Sequence, residues 1–210
     1  MSPADHSQPD LFGATTTRPA DLHRLFFALL PDAAIRRQLV QAAQTVRAAH
    51  PALRARWVAP QRYHATLHFL GDHPSLRQDV VAAAIAAADR LSAGPFDWIL
   101  NEATSFHASQ PPWILRSAEF PESLQALWQG LRGALILAGQ GRHVERQLTP
   151  HVTIAYGEGR ALETVSIEPV AWRVERLALL DSVGGTPDYH TLAEWSLQPG
   201  GVQRVQAPHA

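Results

Sequence analysis

Cysteine is absent from this 210-residue chain, which excludes disulfides, thiolate metal sites and cysteine nucleophiles together. Lysine is absent as well, since all 18 cationic residues are arginine. Reactions that pass through a lysine, such as Schiff-base formation, P-loop phosphate binding or a lysyl-nucleotide intermediate, are therefore closed to it. Charge of one sign is not in excess either. A formal net charge of −1 gives no global basic field of the kind that gathers nucleic acid non-specifically, so an anionic substrate must be held by a local site. No apolar run approaches the ~20 residues of a membrane span, and the N-terminus has neither the basic nor the apolar region of a signal peptide. These features lead us to expect a cytoplasmic protein with no membrane partner. With 46% hydrophobic residues, the chain can bury one substantial core or two small lobes sharing one.

Residues 1–21 are rich in Ser, Thr, Pro and Asp without periodicity and read as a disordered leader. Residues 22–199 read as one domain, and 200–210, polar and aperiodic, as a loose tail. Within the domain, Arg24 to Leu30 is an apolar run expected to form a buried strand. Asp32 is placed to cap a helix in which Ile35, Leu39, Ala42 and Val46 recur at helical spacing. A second helix is expected from Pro74-Ser75 to Leu91, and a third from about Pro121 to Ala138 with Gly139 ending it. Phe96 to His107 and Trp113 to Leu115 read as a hairpin, and two further strands are expected near Ala171 to Ser182 and Tyr189 to Leu197. Helices mixed with hairpins favour an α+β fold with largely antiparallel sheets.

One pattern occurs twice. His64-Ala65-Thr66-Leu67-His68-Phe69 and His151-Val152-Thr153-Ile154-Ala155-Tyr156 both read His-x-Thr-(Leu or Ile)-x-aromatic, with glycine close behind. Alternation along a strand places His64, Thr66 and His68 on one face, and His151 and Thr153 on one face of the second strand. Two such strands meeting across a cleft would each offer an imidazole and a hydroxyl. Hydrolysis of a phosphodiester needs a base for the attacking water and an acid for the departing oxygen, and histidine fills either role near neutral pH. The hydroxyls of Thr66 and Thr153 are suited to the non-bridging phosphate oxygens. No metal or other cofactor is called for. His64 and His68, roughly 13 Å apart on a regular strand, are too far apart to chelate one ion.

Other residues are candidates for contacting substrate. His68 either lines the cleft or orients His64. Trp113 and Phe106 either stack on a base or pack in the core or hairpin. Arg62, Arg146 and Arg160 flank the motifs and are suited to phosphate. Tyr156, by alternation, points away from the His-Thr face unless the strand bends.

The paired motifs resemble the signature of the 2H phosphoesterase superfamily. Arg24 to Leu29, Arg56-Trp57-Val58, Leu180-Asp181-Ser182 and Tyr189 to Leu197 are similar to its RNA 2′,3′-cyclic phosphodiesterase branch, also called the bacterial 2′-5′ RNA ligase family. The resemblance implies a bilobal α+β fold with the motifs lining a central cleft. It implies an enzyme acting on RNA ends or nucleotides with a 2′,3′-cyclic phosphate, and we expect a monomer. By position, it implies His64 as general acid to the 3′ oxygen and His151 as base for water. The family often carries arginine where this chain has Tyr156. Two alternatives remain open: a 2H phosphodiesterase for another small cyclic phosphate or a 2′-5′-linked oligonucleotide, and a binding module that holds phosphorylated RNA ends without turnover.

Overall fold

A computed structural model of the chain describes residues 22–205, so the leader expected over 1–21 and residues 206–210 lie outside the described part. Strand β1 (His23–Leu29) is followed by helix α1 (Ala33–Ala49), the short β2 (Ala55–Trp57), β3 (Ala65–His73) and α2 (Gln78–Ala88). The hairpin β4 (Phe96–Ser105) and β5 (Pro112–Arg116) leads to α3 (Glu122–Leu137). Then come β6 (Val152–Gly157), β7 (Val165–Val174), β8 (Arg176–Val183), β9 (His190–Gln198) and β10 (Gly201–Val205). The strands form two five-stranded sheets, in the orders β10-β9-β8-β1-β3 and β2-β6-β5-β4-β7, with antiparallel neighbours. This is the α+β arrangement of two antiparallel sheets with helices that the pattern implied.

Local chemistry accounts for the element ends. Asp32 caps α1, its carboxylate accepting from the Ile35 amide at 2.8 Å, a contact of about 1 kcal/mol. The buried stripe Ile35, Leu39, Ala42, Ala43 and Val46 faces the core, and α1 packs on β7. Gly139 takes φ +78° just beyond α3, a conformation that costs glycine little. Helices α2 and α3 pack together, and α3 also reaches β3 and β4. One hydrophobic core includes residues of both sheets and all three helices, with Trp98, Trp113, Trp172 and Trp195 fully buried in it.

Three expectations need correction. The second helix begins at Gln78, not at Pro74-Ser75. The strand expected from Ala171 to Ser182 is two strands in different sheets, divided at Glu175, and β7 begins earlier, at Val165. Pro169 is tolerated in β7 because that strand is a sheet edge. The tail is not loose over its first residues, since β10 pairs with β9. Asp89 at the end of α2 holds this corner, accepting from Trp195 Nε1 at 2.8 Å and from Arg204 at 2.6 Å.

Candidate active site

Each motif histidine sits one residue before its strand. His64 follows a 3₁₀ turn (Pro60–Arg62) and the buried Tyr63, and His151 follows the buried Pro150. Each ring is then fixed in the same way. Nδ1 of His64 donates to the Arg62 carbonyl at 2.7 Å, and Nδ1 of His151 donates to the Thr149 carbonyl at 2.6 Å. A carbonyl only accepts, so Nδ1 carries the proton and Nε2 is left with its lone pair. At the first motif the Thr66 hydroxyl donates to that Nε2 at 3.1 Å.

Both strands carry a β-bulge at the same place. Across from β1, Ala28 pairs with Thr66 and Phe27 with His68, which leaves Leu67 without a partner residue. Across from β5, Ile114 pairs with Thr153 and Trp113 with Ala155, which leaves Ile154 extra. An extra residue inverts the alternation after it. Residues 64–70 and 151–157 consequently follow one burial order, half-buried, buried, half-buried, buried, buried, half-buried, buried.

The bulge sets where two of the candidate residues lie. His68, expected on the His64 face, turns into the core. It is fully buried, stacks on Trp128 of α3 with ring centroids 5.2 Å apart, and donates from Nε2 to the Trp128 carbonyl at 3.1 Å. Trp128 Nε1 in turn donates to the carbonyl of the bulged Leu67 at 3.1 Å. Tyr156, expected to point away, turns onto the face of His151 and Thr153. It stands near Tyr189, and the charges of Arg56, Arg24 and Arg62 reach its phenol. Phe69 takes the matching place in the first motif.

Trp113 follows the packing alternative. It is 1% exposed, edge-on to Trp57 at 5.8 Å, and donates to the Arg160 carbonyl at 3.4 Å, so it packs and is not open to a base. Of the three flanking arginines, only Arg62 lies beside a motif histidine. It stacks on Tyr189 at 4.3 Å and donates to the Thr186 and Pro187 carbonyls at 3.3 and 3.1 Å. Arg146 lines a separate open hollow of about 540 Å³ with Trp128 and Arg132. A larger hollow, about 710 Å³ and lined by Arg47, His50, Arg54, Trp57 and Glu158 among others, touches neither motif. Size alone is a poor guide to chemistry here.

Phe26 and Tyr189, not singled out from sequence as site residues, and Phe106, which was, complete the face. Tyr189 meets His64 edge-on at 5.1 Å, Phe26 lies 5.2 Å from it, and Phe106 meets His151 edge-on at 4.9 Å. Phe26, Ala28, Ala178 and Leu180, with Phe69 and Tyr189 against them, make a small apolar floor separate from the main core. The repeated aromatic five residues after each histidine was the available signal for Phe69 and Tyr156. Phe26 and Tyr189 had none beyond the family resemblance.

Burial pushes the His64 imidazole down to about 4, and the charges of His151 and Arg62 push the same way, against the Arg62 carbonyl. His151 is lowered by burial, opposed by the Thr149 carbonyl. The charge of His151 thus reaches His64, and burial disfavours the protonated form of both rings.

A family model described as LigT-like phosphoesterase matches residues 29–113, a span that contains the first motif and ends before the second. LigT of E. coli, in its apo form, shares 28% identity with a TM-score of 0.66, covering 85% of this chain and 99% of LigT. TT0787 of Thermus thermophilus shares 27% identity with a TM-score of 0.66, covering 84% of this chain and 98% of its own. E. coli LigT complexed with 3′-AMP gives 26% and 0.64, covering 84% and 98%. The likeness is to LigT-like phosphoesterases. No curated protein matches the sequence. Both the matched segment and the LigT-like fold support phosphoester chemistry as the class of reaction.

Proposed function

We propose that this protein is a metal-independent phosphodiesterase that opens 2′,3′-cyclic phosphates of RNA ends or nucleotides to 2′-phosphomonoesters. His151 Nε2 takes a proton from water as the water oxygen bonds to phosphorus. The P–O3′ bond breaks, and His64, protonated at Nε2, gives its proton to the departing 3′ oxygen. Thr66 and Thr153 donate to the non-bridging oxygens as negative charge builds there. Run in reverse with a 5′-hydroxyl in place of water, the same groups form a 2′-5′ linkage.

The observation that carries this reading is the matched pair of Nδ1 anchors, which leaves Nε2 of each ring as the nitrogen with a lone pair, that of His64 meeting only the Thr66 hydroxyl. The crystal structures of E. coli LigT complexed with 3′-AMP, ATP and phosphate favour a nucleotide or phosphorylated RNA end as ligand. Burial holds the His64 imidazole near 4, so its role as acid depends on the substrate. A phosphodiester anion between the rings supplies the counter-charge that raises its pKa.

That same depressed His64 favours a second reading, a module that binds phosphorylated RNA ends and does not turn them over. Incubation with 2′,3′-cyclic AMP in EDTA separates the two. Release of 2′-AMP, lost in His64→Ala and in His151→Ala, is the expected result. Tight binding without product favours the module, and turnover indifferent to both substitutions sinks the two-histidine mechanism. Turnover of 2′-5′-linked dinucleotides or other small cyclic phosphates in preference to 2′,3′-cyclic AMP would change the substrate and keep the chemistry.

A further inference from the structure

Three arginines reach the face shared by the two motifs, and each lies over an aromatic ring. Arg24 stands 6.0 Å from the Phe69 ring, Arg62 stands 4.3 Å from Tyr189, and Arg56 stands 4.7 Å from Tyr156. Two are already committed. Arg24 donates to both carboxylate oxygens of Asp72, at 2.9 and 3.5 Å. Arg62 donates to the Thr186 and Pro187 carbonyls and to Ser182 Oγ at 3.4 Å. Arg56 differs. Among the described residues no acceptor reaches its guanidinium, and the side chain is exposed.

Its direction is fixed by the sheet. Arg56 on β2 pairs directly with Tyr156 on β6, so both side chains leave the sheet on the same side. The bulge at Ile154 makes that the side of His151 and Thr153. A guanidinium lying on a ring face keeps its in-plane N–H edge free, the edge that matches two oxygens of a phosphate. We propose that Arg56, carried by the neighbouring strand and laid on Tyr156, is the cation that binds the substrate phosphate beside the second motif. The cation is thereby supplied from one strand over, where position 156 itself offers only a phenol. This inference rests on the cyclic-phosphodiesterase reading for the identity of the phosphate.

Calorimetric titration of the full chain with 2′-AMP and with adenosine, together with turnover of 2′,3′-cyclic AMP, tests it. Arg56→Ala is expected to weaken 2′-AMP binding at least about tenfold, leave adenosine binding unchanged and lower kcat/KM on the order of 10²-fold. Arg56→Lys should fall between, since an ammonium is a point charge without the planar fork. A merely structural role would move adenosine and 2′-AMP together. Equal 2′-AMP affinity and equal kcat/KM in Arg56→Ala overturn the inference. If the wild type turns over no cyclic phosphate, the reaction assignment fails while the titration still judges Arg56: selective loss of 2′-AMP supports it, and equal affinity, or no 2′-AMP binding by the wild type, overturns it.

Discussion

The two motif strands are alike in backbone and unlike in surroundings. Both begin with a histidine held through Nδ1, both bulge three residues on, and both then turn an aromatic onto the shared face. The first is crowded: His64 touches Phe26 and Tyr189, has Arg62 nearby, and its bulge is held from behind by Trp128 of α3. At the second, His151 touches Phe106, and the residue after the bulge is the small Ala155, fully buried. The backbone thus anchors the two histidines alike, and the neighbours surround them differently.

Removing either imidazole is the most severe way to break this pairing. His64→Ala and His151→Ala should each lower kcat for 2′,3′-cyclic AMP by about 10²–10⁴-fold with little change in unfolding midpoint, read by steady-state kinetics and thermal melts. Acid should act next. His64 and His68 are both held near 4, below their ordinary 6.5, so between those values the unfolded chain binds more protons than the folded one. Stability is full above about pH 6.5 and falls as the pH drops towards 4, by about 3 kcal/mol for a fully buried ring such as His68. Urea unfolding from pH 4 to 7 measures this, and a flat profile would contradict the assigned burial. In the same range, a saturating 2′-nucleotide should move the NMR titration of His64 upward.

Smaller changes sharpen the contrast between the halves. Gly157→Ala places a Cβ 2.6 Å from Trp113 Nε1 and 2.7 Å from the Arg160 carbonyl, and should cost about 1–3 kcal/mol in chemical denaturation. Gly71, behind the first motif, is needed for its φ of +107° instead, so the two glycines serve different ends. Trp128→Phe removes the donor to the Leu67 carbonyl and should cost about 1–2 kcal/mol. It should also lower kcat more than a change of similar stability cost behind the second motif, because it loosens only the first bulge.

The helices were legible in sequence because their apolar residues recur at one period over several turns, as Ile35 to Val46 do. Both histidines and both threonines were legible from the repeat. The bulge was not, because one extra residue leaves no mark on composition. In the second motif two consecutive apolar residues, Ile154 and Ala155, interrupt the alternation and record it. In the first, His68 occupies the equivalent inward place and disguises it as continued alternation. Arg56 and Tyr189 depend on strand pairing and on contacts far apart in sequence, which no local pattern encodes. The short β10 depends on one buried corner at Asp89, again a long-range cause.

The groups that hold the two imidazoles are main-chain carbonyls, at positions 62 and 149. A carbonyl is present whatever side chain the position carries, so substitution there cannot delete the acceptor that sets the tautomer. The side chains at 62 and 149 can therefore be changed without removing that acceptor. Replacing Arg62 would release its hold on Tyr189 and still leave the carbonyl that fixes the His64 ring.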